Sequence, residues 1–571
     1  MKKILILILA VFLVAGCIGE KPGADTGKAD DTKEVSKVST QENVKIKIDS
    51  IVFTRTGAQV NLKEEVQVTS ANVYDNDTKI ASQNVDSKAK EVFIDFNWEP
   101  KKQYKIEVQT SNGATSSAVY APSKPTALKL GEIKLEEVEP GNINKVTENI
   151  KGDVKFSPDG KYLIAGTNTG YLKVIETATN KIVLDKKFAE GRIYALDFTQ
   201  DGKYLLVGEE SVEGYLYALE FPSGKEIWKF RSGDDIGTDI KNKPGIRKLE
   251  IIGNTAYVVA CRAASGADKT YYYSRIYAFE IDSGKVLWKF PENEIIDLSI
   301  YQIDVSSDGK YIFFAGSSYP KGMVRDSPKY KDGVIHVLNS EGKELWSYEL
   351  PVVPYQIHVW IGKGSISDNG KYVMAIDYYG AAYLFDNEEI IKTGKASPVW
   401  SKNISTAIEM SGIPIYGSLN YASFLGDNII FNVGSTYIPS KSKSAKYNRA
   451  SIEHPNGNGL LVYDLKGDLI WKWKVEGYAP GQMGTSKDSR FLVLPIGQNI
   501  VTNNLDVHGV YVFDNSVQGG VTSKLAYIYK TKGVTVSADI SSDGKYIAAL
   551  EIPARLEDGT VIGEYKVHIL S

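Results

Sequence analysis

One phrase recurs five times between Tyr217 and Trp473: an apolar run, a glycine turn, then a tryptophan at the same place in the next run. The copies are YALEFPSGKEIWKF (Tyr217 to Phe230), YAFEIDSGKVLWKF (Tyr277 to Phe290), HVLNSEGKELWSY (His336 to Tyr348), YLFDNEE with SPVW (Tyr383 to Trp400) and VYDLKGDLIWKW (Val462 to Trp473). A unit this short cannot bury its own apolar face, so the copies must pack on one another to make a core.

A second phrase interleaves with the first: FSPDGKYLIAG (Phe156 to Gly166), FTQDGKYLLVG (Phe198 to Gly208), VSSDGKYIFFAG (Val305 to Gly316), ISDNGKYVMA (Ile366 to Ala375) and ISSDGKYIAAL (Ile540 to Leu550). Worn forms stand at IIGNTAYVV (Ile251 to Val259), FLGDNIIFNVG (Phe424 to Gly434) and SKDSRFLVL (Ser486 to Leu494). Asp-Gly or Asn-Gly between alternating apolar runs supplies the positive φ of a tight turn, so each copy marks a hairpin. Eight hairpins, each continued by two further strands, predict an all-β chain: an eight-bladed β-propeller. The last unit has only a third strand, Glu564 to Leu570, and the alternating segment Ala127 to Glu139 is expected to supply its fourth. Such closure removes an exposed sheet edge.

The tyrosine-alanine, Gly-Lys and Trp spacing resembles the repeat of pyrroloquinoline-quinone (PQQ)-type propellers, over about 440 of the 571 residues. The resemblance implies that Trp228, Trp288, Trp346, Trp400 and Trp471 dock between neighbouring blades. No Trp-Asp pair occurs, which disfavours a WD40 repeat. Related repeats occur in quinoprotein dehydrogenases and in a lipoprotein subunit of bacterial outer-membrane assembly machinery, so the likeness speaks to fold before function.

Ahead of the propeller, Met1-Lys2-Lys3 is a basic start, Ile4 to Ala15 is an apolar run of 12, and Val14-Ala15-Gly16-Cys17 follows. The run is short for a membrane span and suits a signal-peptide core. It resembles a lipoprotein signal sequence (1–16), whose removal would leave Cys17 for lipidation. Residues 17–44 are polar and low in large apolar side chains, the composition of a flexible tether. GCIGE with this tract is also reminiscent of archaeal surface lipoproteins. Residues 45–122 hold short alternating runs that predict a β-sandwich of the Ig or fibronectin III kind. The run from Trp98 to Val108 resembles the tyrosine corner of fibronectin III-like domains, with Tyr104 as the brace. The propeller is assigned to 127–571.

The net charge of −3 gives no global field for nucleic acid. If Cys17 is lipidated, Cys261 has no partner for an intrachain disulfide. Asn76 and Asn403 stand in glycosylation sequons. The five histidines fall in no HxH or HExxH arrangement, and there is no GxSxG elbow. The Cys-Cys pair that typically flanks the quinone in quinoprotein dehydrogenases is missing too. No catalytic residue, metal or cofactor is therefore assigned.

Loop length carries the functional signal. The turns at one end of the blades are tight, whereas those at the other end are long, and extra loop on a rigid scaffold is where binding resides. Three of the long connections are basic and aromatic, with Arg262, Tyr272 and Arg275 in one, Arg325, Lys329 and Tyr330 in the next, and Lys446 and Arg449 in the third. Tyrosine and arginine suit recognition because they join large area to a polar handle. The sequence thus reads as a lipid-anchored extracytoplasmic scaffold docking a protein or a surface glycan; the alternative is a quinone- or metal-dependent redox or hydrolytic enzyme using the central funnel.

Overall fold

The computed structural model describes residues 46–143, 152–188, 190–266, 270–317, 333–352, 361–439, 452–474, 477, 483–497, 504–517 and 524–571. The signal segment, Cys17 and the tether lie outside the described residues.

Residues 46–121 make a small antiparallel unit. Its strands are Ile48–Phe53, Gly57–Asp75, Thr78–Asp95, Gln103–Thr110 and Gly113–Tyr120. The long second strand pairs with the first, third and fourth. Val60 and Leu62 face the core two residues apart, as strand alternation requires. A register shift between Val68 and Ser70 then changes the phase, so that Val68, Ala71 and Val73 are all buried. Tyr104, 2% exposed, accepts the Glu99 N–H at 2.9 Å through its hydroxyl. Trp98 Nε1 donates to Thr54 O at 2.7 Å, tying the turn to the opposite side of the unit.

From Asp153 onward the strands fall into consecutive four-stranded antiparallel groups arranged as a β-propeller. Blade 1 opens with Asp153–Phe156, blade 2 with Arg192–Phe198, blade 3 with Gly245–Ile252, blade 4 with Ser299–Val305, blade 5 with Ser365–Ile366, blade 6 with Ile413–Leu425, blade 7 with Gly484–Thr485 and blade 8 with Val534–Ile540. Blade 8 is completed by Lys129–Lys134, which pairs with the last strand, Lys566–Leu570.

The Asp-Gly connections are five-residue turns rather than two-residue ones. In blade 1, Gly160 alone takes a positive φ, 69°. The Asp159 carboxylate accepts from Ser157 Oγ at 2.7 Å and from Lys161 N at 3.1 Å, holding the turn from within. Blades 2, 4, 5, 7 and 8 repeat this around Asp201, Asp308, Asn369, Asp488 and Asp543.

The five tryptophans sit on outermost strands beside the following blade. Trp228 Nε1 donates to Ile281 O (2.6 Å), Trp288 to Ser340 O (2.8 Å), Trp346 to Asn387 Oδ1 (2.7 Å) and Trp400 to Leu465 O (2.9 Å). A Cβ on Gly284 would lie 2.7 Å from the Trp228 ring, and one on Gly342 2.6 Å from Trp288. The glycine of one copy is therefore the floor on which the tryptophan of the preceding copy rests. Enclosure is uneven, with Trp346 and Trp471 buried and Trp228, Trp288 and Trp400 half-buried.

The two folded parts meet at Arg55, which is 5% exposed. Its guanidinium donates to Gly544 O (2.5 Å), Lys545 O (3.1 Å) and Tyr527 Oη (3.3 Å) and lies 4.7 Å from the Phe491 ring.

Candidate functional site

Two features stand out on this scaffold, one on the end opposite the Asp-Gly turns and one on the propeller axis. At the first, the stretch from Arg262 to Arg275, expected as a loop, is mostly a two-stranded ribbon formed by Thr255–Ser265 and Thr270–Glu280, paired out to Ser265 and Thr270. Pairing fixes where its side chains go. Arg262 stacks over Tyr273 at 4.0 Å and donates Nε to Ile236 O at 2.9 Å. Arg275, 4% exposed, pairs with Asp235 at 3.2 Å and donates to Glu292 O at 3.0 Å. Tyr272 is 7% exposed, and its backbone N–H goes to Asp297 Oδ1 at 2.8 Å.

The reading of this stretch as an open basic loop is therefore corrected. Arg275 and Tyr272 are packed inward because a short helix, α1 (Gly233–Ile236), and the segment around Glu292 to Asp297 lean on the ribbon. Acidic residues from the inter-blade connections neutralise the bases. Arg325, Lys329, Tyr330, Lys446 and Arg449 lie outside the described residues.

What this end does present is tyrosine. Tyr271 is 37% exposed on the ribbon. Around blades 5 and 6, Tyr379 and Tyr416 lie 4.8 Å apart between ring centres, Tyr416 stacks on Tyr437 at 5.7 Å, and Tyr378 lies 6.2 Å from Tyr437. Tyr416 is buried beneath, while Tyr378, Tyr379 and Tyr437 are half-exposed. Sequence reasoning singled out Tyr437 and missed the other three. Tyr378 and Tyr379 are adjacent in one turn of blade 5, whereas Tyr416 and Tyr437 are opposite each other on paired strands of blade 6, so the group forms only where two blades meet.

The second feature is a cavity of about 490 Å³ on the axis, lined by the first strands of the blades. The position two residues before the Ser or Thr that opens the Asp-Gly turn lines it in blades 1, 2, 4 and 8, with Lys155, Asp197, Asp304 and Asp539, and Glu250 lines it from the first strand of blade 3, whose turn is Gly253-Asn254. Each carboxylate clasps the next blade. Asp197 accepts Ile251 N (3.0 Å), Glu250 accepts Val305 N (3.0 Å), Asp304 accepts Ile366 N (2.7 Å) and Ser365 Oγ (2.5 Å), and Asp539 accepts Phe156 N (2.8 Å). Lys155 donates forward to Asp197, and Lys248 pairs with Glu250 at 3.2 Å.

Burial raises the Glu250 carboxyl to about 8, reinforced by Asp304 and Asp197 against the pull of Lys248. Burial likewise raises Asp539 to about 6, and it raises Asp153 and Asp304. Against the lowering effect of burial, Asp197, Asp539 and Asp153 hold Lys155 above the ordinary lysine range. No group of three His, Cys, Asp or Glu side chains able to hold a metal occurs among the described residues. Cys261 is a buried free thiol.

Fold and repeats define a PQQ-like β-propeller. The chain belongs to the family described as outer membrane protein assembly factor BamB, whose model matches residues 117–419, more than half of the sequence. No curated protein matches it. Among solved structures, BamB from Moraxella catarrhalis is 14% identical, with 78% of this chain and 98% of that chain covered at a TM-score of 0.43. The C-terminal WD40 domain of Sif2 is 13% identical over 78% of this chain and 98% of that one, at 0.46. The propeller domain of Myceliophteria thermophila Cps50 is 10% identical over 77% and 99%, at 0.37. No helix among the described residues is long and apolar enough to cross a membrane.

Proposed function

We propose that this chain is a lipid-anchored, extracytoplasmic scaffold that docks a protein partner on the ribbon-bearing end of its propeller. The observation that carries the reading is the tyrosine group of Tyr378, Tyr379 and Tyr437, half-exposed on a rigid end of the ring together with Tyr271. Tyrosine offers large contact area at small entropic cost, which is the composition of recognition surfaces. Membership of a family named for outer membrane protein assembly supports a scaffold role at the coarse level. The anchor is assigned to Cys17 from the signal segment that precedes it.

The test is cross-linking of the tagged full-length protein in its native membrane, followed by mass spectrometry, with a Tyr271→Ala, Tyr378→Ala, Tyr379→Ala variant beside it. The variant should keep its melting temperature and lose the main cross-linked protein. Unchanged capture would place docking elsewhere, and capture of glycan in place of protein would replace the partner class. Cys17→Ser should move the protein out of the membrane fraction or stall its processing; mature protein still in the membrane would refute the anchor.

A further inference from the structure

The fold presents the two Asn-x-Ser/Thr triplets, Asn76-Asp77-Thr78 and Asn403-Ile404-Ser405, in opposite ways. The triplet is short and recurs by chance, so its surroundings decide what it can do. Enzymatic glycosylation takes the asparagine carboxamide and the hydroxyl two residues on together, and both must leave the fold to enter a second protein.

Asn403 is locked. Its own side chain is exposed, but Ile404 is 2% and Ser405 1% exposed. Ser405 Oγ donates to Gly417 O at 2.8 Å, and the Ile404 and Ser405 N–H groups donate to Gly380 O at 2.8 and 3.0 Å. Ser405 O accepts Gly417 N–H at 3.0 Å, and Ile404 O accepts Asn456 Nδ2 at 2.7 Å. Withdrawing the triplet would break all of these bonds.

Asn76 is offered to solvent. It opens the turn between the strands Gly57–Asp75 and Thr78–Asp95, which pair out to Asp75 and Thr78. Its φ of 52° lies in the left-handed region that asparagine tolerates, so the turn alone accounts for an asparagine here. The turn does not account for the freedom of the whole triplet. Asn76, Asp77 and Thr78 are all exposed. Lys102 holds Asp75 at 2.8 Å and fixes the base of the turn. Asn76 Nδ2 has only a long contact of 3.4 Å to Asp75 Oδ1, and Thr78 Oγ1 has no hydrogen-bond partner among the described residues.

We propose that Asn76 is N-glycosylated and that Asn403 is not. The step joins Asn76 Nδ2 to the anomeric carbon of an oligosaccharide carried on a polyprenyl diphosphate. The bond from that carbon to the diphosphate oxygen breaks, the diphosphate leaves with the electron pair, and the amide gives up one proton. Transfer takes place outside the cytoplasm, so the proposal rests on the extracytoplasmic placement proposed above. A bulky, hydrated glycan also suits this tip. Thr78–Asp95 pairs on one side only among the described strands, and Ile80 near its start is 43% exposed. Sugar beside that free edge hinders the addition of a foreign strand.

The test is glycopeptide mass spectrometry of the tagged full-length protein purified from its native membrane. A parallel sample of spheroplasts is treated with an impermeant amine reagent, which labels exposed lysines such as Lys88 and Lys90 if the chain lies outside the cytoplasm. The peptide holding Asn76 should carry a hexose-containing mass and the peptide holding Asn403 should be bare. Thr78→Ala, which keeps the turn asparagine, should remove the added mass as completely as Asn76→Gln. A bare Asn76 peptide from protein that the reagent labels overturns the proposal and leaves the placement standing; a bare peptide from unlabelled protein overturns both. Equal modification of Asn403, or a mass that survives Thr78→Ala, overturns the proposal as well.

Discussion

The outer and inner rims of the ring solve one problem with opposite chemistry. Both join each blade to the next. The outer rim uses Trp228, Trp288, Trp346, Trp400 and Trp471, large rings laid on the following blade, and four of them also donate Nε1 to it. The inner rim uses carboxylates that accept a backbone N–H from the next blade. Apolar burial tolerates repetition because no copy disturbs its neighbours. Charge does not, since burial raises the proton affinity of each carboxylate on the axis and neighbouring carboxylates raise it further, as Glu250 and Asp539 show. Five outer latches of one type are therefore chemically cheap, whereas the acidic inner clasps occupy one side of the ring and give way to Ser365 in blade 5 and Gly484 in blade 7.

The largest effect should come from the outer rim. Trp346 is 8% exposed, packs against Phe385 at 5.6 Å and bonds to Asn387. Trp346→Ala should cost about 3–5 kcal/mol, the range for emptying a buried aromatic site. Trp288→Ala should cost clearly less, because Trp288 is half-buried. Equal losses in chemical denaturation would mean that burial does not set the strength of the latch.

The inner rim comes next. Asp304→Ala leaves Ile366 N–H and Ser365 Oγ without their acceptor, which should cost about 1–3 kcal/mol. A parent-like midpoint would show that channel water replaces the carboxylate and that the clasp adds nothing to stability.

How far the sequence foretold these two rims differs for a physical reason. Tryptophan spacing and Asp-Gly turns are local: Gly160 needs its positive φ and Asp159 its neighbours Ser157 and Lys161 whatever the rest of the chain does. The propeller was legible from them. The channel was not, because Asp197 or Asp304 read alone is one more polar residue in an alternating strand. Only ring closure sets Asp153 beside Ser537, 384 residues away, or Asp539 beside Phe156. The signal was present at a fixed offset from the turn in blades 1, 2, 4 and 8 but needed the strands stacked to be seen. The ribbon was misread for a related reason: Ala-Ser-Gly-Ala-Asp looks like loop, yet pairing from Thr255 to Ser265 turns Tyr272 and Arg275 inward.

A third, smaller test concerns the seam where the latch is altered. Blade 7 places Tyr527 opposite Val512, as blade 6 places Trp471 opposite Val462. The Tyr527 hydroxyl accepts from Arg55 at 3.3 Å and donates to Ser571 O at 3.3 Å, so this latch also serves the N-terminal unit. Tyr527→Phe should cost about 0.5–1.5 kcal/mol, the net value of such bonds. Protease cleavage between Pro122 and Pro125 should become faster as the unit loosens. A change in stability with no change in cleavage would mean that the hydroxyl supports only the propeller.

The smallest effect is a difference in pH dependence between the two kinds of acid. Glu250 titrates at about 8 in the folded chain against an ordinary 4.5, so between those values the folded chain keeps a proton that the unfolded chain has released. The unfolded state then binds fewer protons, and stability falls as pH rises through that window. Asp308 in its turn behaves oppositely: Lys310 and Ser306 overcome partial burial and hold it at about 2, so its contribution is present above 3.8 and is lost as pH falls towards 2. The Glu250 effect should be modest, because its side chain is 17% exposed to channel water and Lys248 stands 3.2 Å away. Calorimetry at constant ionic strength should show the melting temperature rising as pH falls from about 8 to about 5, with Glu250→Gln flattening that rise and Asp308→Asn leaving it intact. Parallel curves for Glu250→Gln and the parent would show that the channel is wet enough to keep this carboxylate ordinary, and the contrast between the two rims would then rest on geometry alone.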